Sequence, residues 1–319
     1  MPPLFVSDAE VEKALTPTLL LATIEDAFAG LATGAVINGG KISISLDDHD
    51  GARTMLALIG AVPEKRVAGV KWVGTFNRNA ERGLPRAPAT LLLTDSVTGE
   101  LRAIVAATSL TARRTAAALV VAAKCFGGER HRVAILGFGA VGQSLVPLIA
   151  HVFSPRTIAV WGGRRERLAA SVTRSQAAHG IPIAIAETPQ EAARDADLVF
   201  TASGLGEDKP FLTRAMIADR AVLCCAGTYQ EIADDLVLAS DCLVVDDWAA
   251  CQKRGNLAAM VKHGTLTRNS VRMELPALVT QARANGPIAA RLPVVITIGV
   301  GALDVAIAAA LLAQRCRAD

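Results

Sequence analysis

Apolar positions along the chain change their period twice. Up to Gly34 they recur at helical spacing, with Leu20, Ile24, Ala27, Phe28 and Leu31 on one face. Two start signals precede them. Ser7 with Glu10 three residues on is a capping-box pair, and Thr16-Pro17 supplies an N-cap followed by proline at the first helical position. The spacing predicts two helices, the second stopped by Gly34. From Lys41 to about Ala107 the texture becomes short β-branched runs at 41–46, 54–62, 67–76, 90–94 and 101–106, a meander of strands with a hairpin turn at Asp95 to Gly99. Thr111 to Ala123 reads as an Ala-rich helix. Beyond Gly127-Gly128, strand-like runs at 133–136, 157–161, 183–185, 198–201, 221–225 and 242–245 alternate with helical segments such as 143–153 and 166–179. Alternation of this kind predicts a parallel sheet covered by helices on both faces.

Composition adds limits. Of the 319 residues 51% are apolar, and mean hydropathy is +0.37, so the chain must bury a large core and is not disordered. Val294 to Ala313 is long enough to span a bilayer, but Asp304 lies in its middle and Gly299 and Gly301 interrupt it. A buried strand, a glycine turn and an Ala-rich helix fit better, so no membrane partner is expected. With 33 basic and 30 acidic residues and 4% aromatics, no nucleic acid is expected either. Six cysteines without C-x-x-C spacing argue against a metal site and a disulfide framework. Reduced thiols and an N-terminus without a basic, apolar export signal suggest a cytoplasmic protein.

The strongest motif is Gly137-Phe138-Gly139-Ala140-Val141-Gly142, directly after the apolar run Val133 to Leu136 and ahead of a helix. The first glycine allows a tight turn, the second lets backbone approach a pyrophosphate, and the third lets helix and strand pack closely. In this context the motif predicts a Rossmann-type doubly wound domain that binds a dinucleotide. Pro147 in the following helix predicts a kink. Ser203, just past the run 198–201, is a further candidate at a carboxyl strand end. After the next strand the chain reads Trp161-Gly-Gly-Arg164-Arg165, with no acid before Glu166. Two guanidinium groups and no carboxylate favour NADP over NAD.

Four cations stand out. Lys71 interrupts the apolar strand Val67 to Val73, where an unpaired charge costs several kcal/mol, so an anion should meet it. Arg114 lies near the start of a helix, where the dipole disfavours it unless an anion is present. Lys41 follows Gly39-Gly40 on the first strand of the meander, and Arg86 sits in the rigid turn Gly83-Leu-Pro-Arg86.

Gly69-Val-Lys71-Trp-Val, Asn79 to Gly83-Leu-Pro, the Asp95 to Gly99 turn, Leu110-Thr-x-x-Arg114-Thr-Ala-Ala, the glycine loop, Val245-Asp-Asp-Trp248 and Ile298-Gly-Val-Gly-Ala-Leu-Asp304 together resemble the ornithine cyclodeaminase and mu-crystallin family. The set, with Lys41, spans residues 41 to 304. Lys-Trp after Gly-Val, Gly-Leu-Pro-Arg86 and Val-Asp-Asp-Trp look most like its siderophore-pathway branch, the N-(2-amino-2-carboxyethyl)-L-glutamate dehydrogenases that release 2,3-diaminopropionate and 2-oxoglutarate. The resemblance implies an α/β fold in which the Rossmann-type sheet of residues 126–290 joins an α+β substrate-binding and dimerisation domain, residues 1–125 completed by a C-terminal helix at 302–319. It implies a homodimer and a nicotinamide-dependent enzyme that oxidises the Cα–N bond of an amino acid or reduces the imine. Lys41, Lys71 and Arg114 match the family's carboxylate-holding cations, with Lys in place of the usual Arg at 41, and Lys71 and Arg114 are the expected catalytic pair. They would clamp the substrate carboxylate so that its Cα hydrogen faces the nicotinamide. Arg86 suits a small amino-acid or keto-acid substrate with more than one carboxylate. The acid that cyclodeaminases carry shortly after a late strand is missing from Cys225-Ala-Gly227-Thr-Tyr-Gln-Glu231, so cyclodeamination fits less well. Glu231 or Asp304 could act as base only if the fold turns them inward. An alanine dehydrogenase-like enzyme or imine reductase is also compatible with these motifs, as is a non-catalytic NADPH-dependent binding protein of mu-crystallin type.

Overall fold

The structure is a computed structural model that describes residues 2–46, 53–204, 209–227 and 229–315. Cys316, read above as a reduced thiol, lies outside the described residues, as does the end of the predicted C-terminal helix. The chain opens with β1 (Leu4–Val6), α1 (Asp8–Ala14), α2 (Pro17–Thr33), β2 (Ile37–Ser45), β3 (Arg53–Val62), β4 (Val67–Phe76), β5 (Ala89–Asp95), β6 (Leu101–Ala106) and α3 (Thr108–Lys124). It continues through β7 (Arg132–Leu136), α4 (Ala140–Phe153), β8 (Thr157–Trp161), α5 (Arg165–His179), β9 (Ile183–Ile185), α6 (Pro189–Ala193), β10 (Leu198–Thr201) and β11 (Val222–Ala226). Last come α7 (Asp234–Ala239), β12 (Cys242–Val245), α8 (Trp248–Cys251), α9 (Ala258–Lys262), β13 (Met273–Glu274), α10 (Leu275–Asn285), β14 (Pro293–Thr297) and α11 (Gly301–Arg315).

Two compact units result, residues 1–114 with 300–319 and residues 115–299. The divisions fall inside α3 and just after β14, where the sequence places them at 125 and 290. β14 pairs with both β11 and β12, so the second sheet extends past 290. Its β-branched residues give way to the Ala-rich α11 after the turn at Gly299, which has φ of 97°, so the strand, glycine turn and helix read from the sequence are all present. Among the described residues no single helix is long and apolar enough to cross a membrane.

In the first unit both helix starts form as the caps dictate. Ser7 and Glu10 close the capping box, and the Thr16 hydroxyl accepts from the Leu19 amide. The sheet order is β1-β6-β5-β4-β3-β2, antiparallel except where β1 joins β6. α11 packs on one face of this sheet at very close range. A Cβ built on Gly60 would stand 2.4 Å from the Ala302 Cα, so only glycine admits the helix there.

The second unit holds eight parallel strands in the order β13-β12-β14-β11-β10-β7-β8-β9. The order reverses between β7 and β10, the switch point at which doubly wound sheets bind ligands. β10, β11, β12 and β14 are buried throughout, which is why they read as continuous apolar runs. α4 runs from Ala140 to Phe153 without a break, with the predicted kink residue Pro147 inside it. In the Val-Asp-Asp-Trp motif, Asp246 accepts from the Ile298 and Gly299 amides, and Asp247 caps α8.

Candidate functional site

The first unit gathers charge under α11. Lys71 on β4 lies in one cross-strand row with Leu58 and Leu91, on the face that α11 covers. It is 1% exposed. The anion that meets it is Asp304 of α11, whose Oδ1 accepts from Lys71 Nζ at 2.9 Å. The same oxygen accepts from Arg114 Nε, also at 2.9 Å. Asp304 is fully buried and its Oδ2 makes no hydrogen bond among the described residues. Among the described residues one carboxylate thus faces two buried cations.

Lys41 joins that face through a backbone device. Asn38 pairs with Gly60 and Lys41 with Leu58, so Gly39 and Gly40 together oppose the single residue Ile59. Gly40 has φ of 78°, a glycine conformation suited to such a bulge. Without the bulge this same sequence would pair Lys41 with Ala57, in the row of the outward Trp72. With it, Lys41 sits in the row of Lys71, two strands or about 10 Å away. Burial, then Arg114, lowers the Lys71 pKa to about 8; Asp304 opposes that shift and Lys41 adds to it.

Arg114 departs from expectation in one respect. α3 begins at Thr108, three residues earlier than predicted, so Arg114 stands nearly two turns into the helix, beyond the reach of the N-terminal dipole. Its partner is Asp304 instead. Arg86 follows the turn after β4 and donates from Nε to Asn77 Oδ1 at 3.1 Å. That hydrogen bond orients a half-buried guanidinium.

In the second unit the glycine loop leaves β7 at the switch point. Gly137, at φ of 109°, passes so close to the end of β10 that a Cβ would stand 2.4 Å from the Ala202 carbonyl and Ser203 Cα. A Cβ on Gly142 would meet the Gly137 oxygen at 2.1 Å. Phe138 is buried, whereas Gly139 and Ala140 are exposed at the N-terminus of α4, followed by half-buried Val141. Around Gly139 a Cβ would meet none of the described residues within 4 Å. Tight packing on two sides and open space at the central glycine, in front of a helix N-terminus, fit a dinucleotide pyrophosphate. Arg164 and Arg165 are exposed beyond β8, and Arg165 pairs with Glu187 across to the segment after β9. Ser203 donates from its hydroxyl to Glu231 Oε1 at 2.5 Å. Glu231 is 4% exposed, and burial raises its pKa against the pull of that hydroxyl.

The family model for ornithine cyclodeaminase/mu-crystallin proteins matches residues 2–286. The chain belongs to that family, and it is an enzyme. The chain is 26% identical over 225 residues to N-((2S)-2-amino-2-carboxyethyl)-L-glutamate dehydrogenase of Staphylococcus aureus, a match over 68% of this chain and 65% of that relative. It is 32% identical over 232 residues to nodulation efficiency protein NfeD of Rhizobium meliloti, over 72% and 70% of the two chains. The fold matches Thermococcus litoralis Δ1-pyrroline-2-carboxylate reductase, solved with NADH and L-proline, at a TM-score of 0.92 and 21% identity over 99% of this chain and 98% of that one.

Sequence reasoning singles out the cations Lys71 and Arg114 but not Asp304 as the counterion that they share. The available signal is a lone carboxylate in an Ala-rich, otherwise apolar helix. Glu231 turns inward too, and its Oε1 is occupied by the Ser203 segment.

Proposed function

We propose that the chain uses NADP in preference to NAD to oxidise the Cα–N bond of an amino acid bearing more than one carboxylate, or to reduce the matching imine. N-(2-amino-2-carboxyethyl)-L-glutamate, yielding 2,3-diaminopropionate and 2-oxoglutarate, is the substrate this reading favours. The observation that carries it is the pairing of two buried cations with one carboxylate: among the described residues Lys71 and Arg114 share one oxygen of Asp304. Buried charge without a counterion is costly, and a substrate carboxylate would supply one. Arg114 and Lys41 hold that carboxylate, and Arg86 receives a second. Lys71, whose pKa lies near 8, also takes or gives the proton that moves with the amine.

The 137–142 loop holds the pyrophosphate of the dinucleotide, and Arg164 with Arg165 meets the 2′-phosphate. When bound, the nicotinamide supplies hydride acceptance or donation. Water then splits the substrate imine into keto acid and amine. Absence of the cyclodeaminase acid and the engagement of Glu231 by Ser203 support oxidation without ring closure.

The test is a panel of amino acids and imines at ~10 mM, above the usual KM range, with each dinucleotide and nicotinamide absorbance as the readout. A dicarboxylic amino acid should turn over, with NADPH or NADP at least ~10-fold better in kcat/KM; that factor is about 1.4 kcal/mol. Gly139→Val should abolish the signal without lowering thermal stability, because the side chain fills open space. Tight dinucleotide binding with no turnover anywhere would favour a binding protein. Proline formed from ornithine would restore the cyclodeaminase.

We also infer a homodimer built on the sheet face opposite α11. There Phe5, Ile104, Leu92, Val70 and Ile59 form one continuous cross-strand row, with Trp72 beside it. Phe5 is 63% exposed and Trp72 42%. An apolar sheet face of this breadth suits a second copy. Sedimentation should give twice the chain mass, and Trp72→Glu should shift it to one; a monomeric wild type would refute the dimer.

A further inference from the structure

We propose that Glu231 is a positioning residue for the dinucleotide, a buried brace that holds the end of β10 against the glycine loop. The inference rests on the dinucleotide reading of that loop and adds a residue that the loop motif does not contain.

One oxygen of Glu231 carries the load. Its Oε1 accepts from the Ser203 amide at 2.9 Å, the Ser203 hydroxyl at 2.5 Å and the Gly204 amide at 3.3 Å. Residues 202–204 belong to neither strand nor helix, so this carboxyl group stands in for the secondary structure that would otherwise satisfy those amides. Glu231 is itself held in place. The Asn256 side-chain oxygen accepts from the Glu231 amide at 2.7 Å and from the Ile232 amide at 3.1 Å.

The far side of the braced segment is the glycine loop. Ala202 donates to the Leu136 carbonyl at 2.8 Å, and Gly137 passes so near Ala202 and Ser203 that no side chain fits between them. A shift of the 202–204 backbone would therefore displace the first turn of the loop. Such displacement matters because pyrophosphate recognition depends on backbone amides held in place before the ligand arrives. Asn256, Glu231, Ser203 and Gly137 form a continuous physical chain from the interior to the switch point.

Glu231 Oε2 makes no hydrogen bond among the described residues. A glutamine oxygen could accept the same three bonds, and burial already favours the uncharged acid. The conservative variant should therefore rescue.

The experiment titrates the full chain with NADPH and NADH by fluorescence and measures steady-state constants. Glu231→Ala should weaken dinucleotide binding at least tenfold, while the amino-acid KM at saturating dinucleotide stays within twofold. Glu231→Gln should bind within twofold of wild type. Asn256→Ala, which frees the brace from its anchor, should weaken binding severalfold and decides the matter if Glu231→Ala does not fold. Unchanged dinucleotide affinity in Glu231→Ala, or in Asn256→Ala, overturns the proposal. So does a Gln variant as weak as the Ala variant. A wild type that binds neither dinucleotide removes the underlying reading, a result distinct from a brace that proves dispensable.

Discussion

Lys71→Ala lowers amino-acid oxidation by about 10³-fold or more and leaves dinucleotide affinity within twofold of wild type. The general acid–base contribution alone is ~10²–10⁴-fold, and the lost grip on the carboxylate adds to it. Dinucleotide binding survives because the glycine loop belongs to the other compact unit. The effect carries a pH signature. Lys71 titrates near 8 in the folded chain, below its ordinary 10.5. Between those values the unfolded chain binds more protons, so this group's penalty on stability is complete below pH 8 and fades as pH rises through the window. Oxidation needs the unprotonated amine as base, so its rate rises through about pH 8. Lys71→Arg keeps the charge and removes the titration, and the ratio of wild-type to variant kcat/KM profiles cancels the ionisation of the substrate. That ratio should inflect near pH 8. Equal loss of turnover and dinucleotide affinity in Lys71→Ala would show instead that the residue only supports the fold.

Asp304→Asn destabilises the ligand-free chain by about 3–5 kcal/mol, the usual cost of stranding a buried charge. Here two cations lose their shared negative counterion at once. Denaturant midpoints measure the change, and millimolar amino-acid substrate should recover part of it by placing a carboxylate among Lys41, Lys71 and Arg114. A second substitution gives a sharper check. Lys71→Met in the Asp304→Asn background removes one stranded cation and should restore about 1–3 kcal/mol, a coupling that independent sites would not show. Asp304→Asn within 1 kcal/mol of wild type would mean that solvent already screens the cluster and that the charge argument fails.

Much of the architecture is local physics and can be read from neighbouring residues. Ser7 with Glu10, Thr16 with Pro17, and Gly34 start and stop helices through groups within four residues of each other, so their pattern survives without tertiary context. The glycine loop is equally self-contained: strand, turn and helix N-terminus lie within residues 132–142. Lys71 is conspicuous because a charge in an apolar strand is costly wherever that strand packs. The short β1 escapes notice because three residues carry no period, and it forms only by pairing with β6 about a hundred residues away. β14 and α11 are both apolar, but the β-branched run, the glycines and the Ala-rich stretch already divide them in the sequence as strand, turn and helix.

Site assembly is the part that distance along the chain conceals. Asp304 lies 233 residues from Lys71 and 190 from Arg114, and the three meet only because Gly60 lets α11 settle against the sheet. Lys41 reaches their face through a one-residue bulge that no periodicity announces, since a strand with and without that bulge has the same composition and opposite orientation. Helix and strand identity follow from short-range hydrogen bonding and solvent preference, which the order of residues states outright. Which charge meets which counterion depends on the packing of whole elements, and there a single missing Cβ or an extra backbone residue determines the outcome.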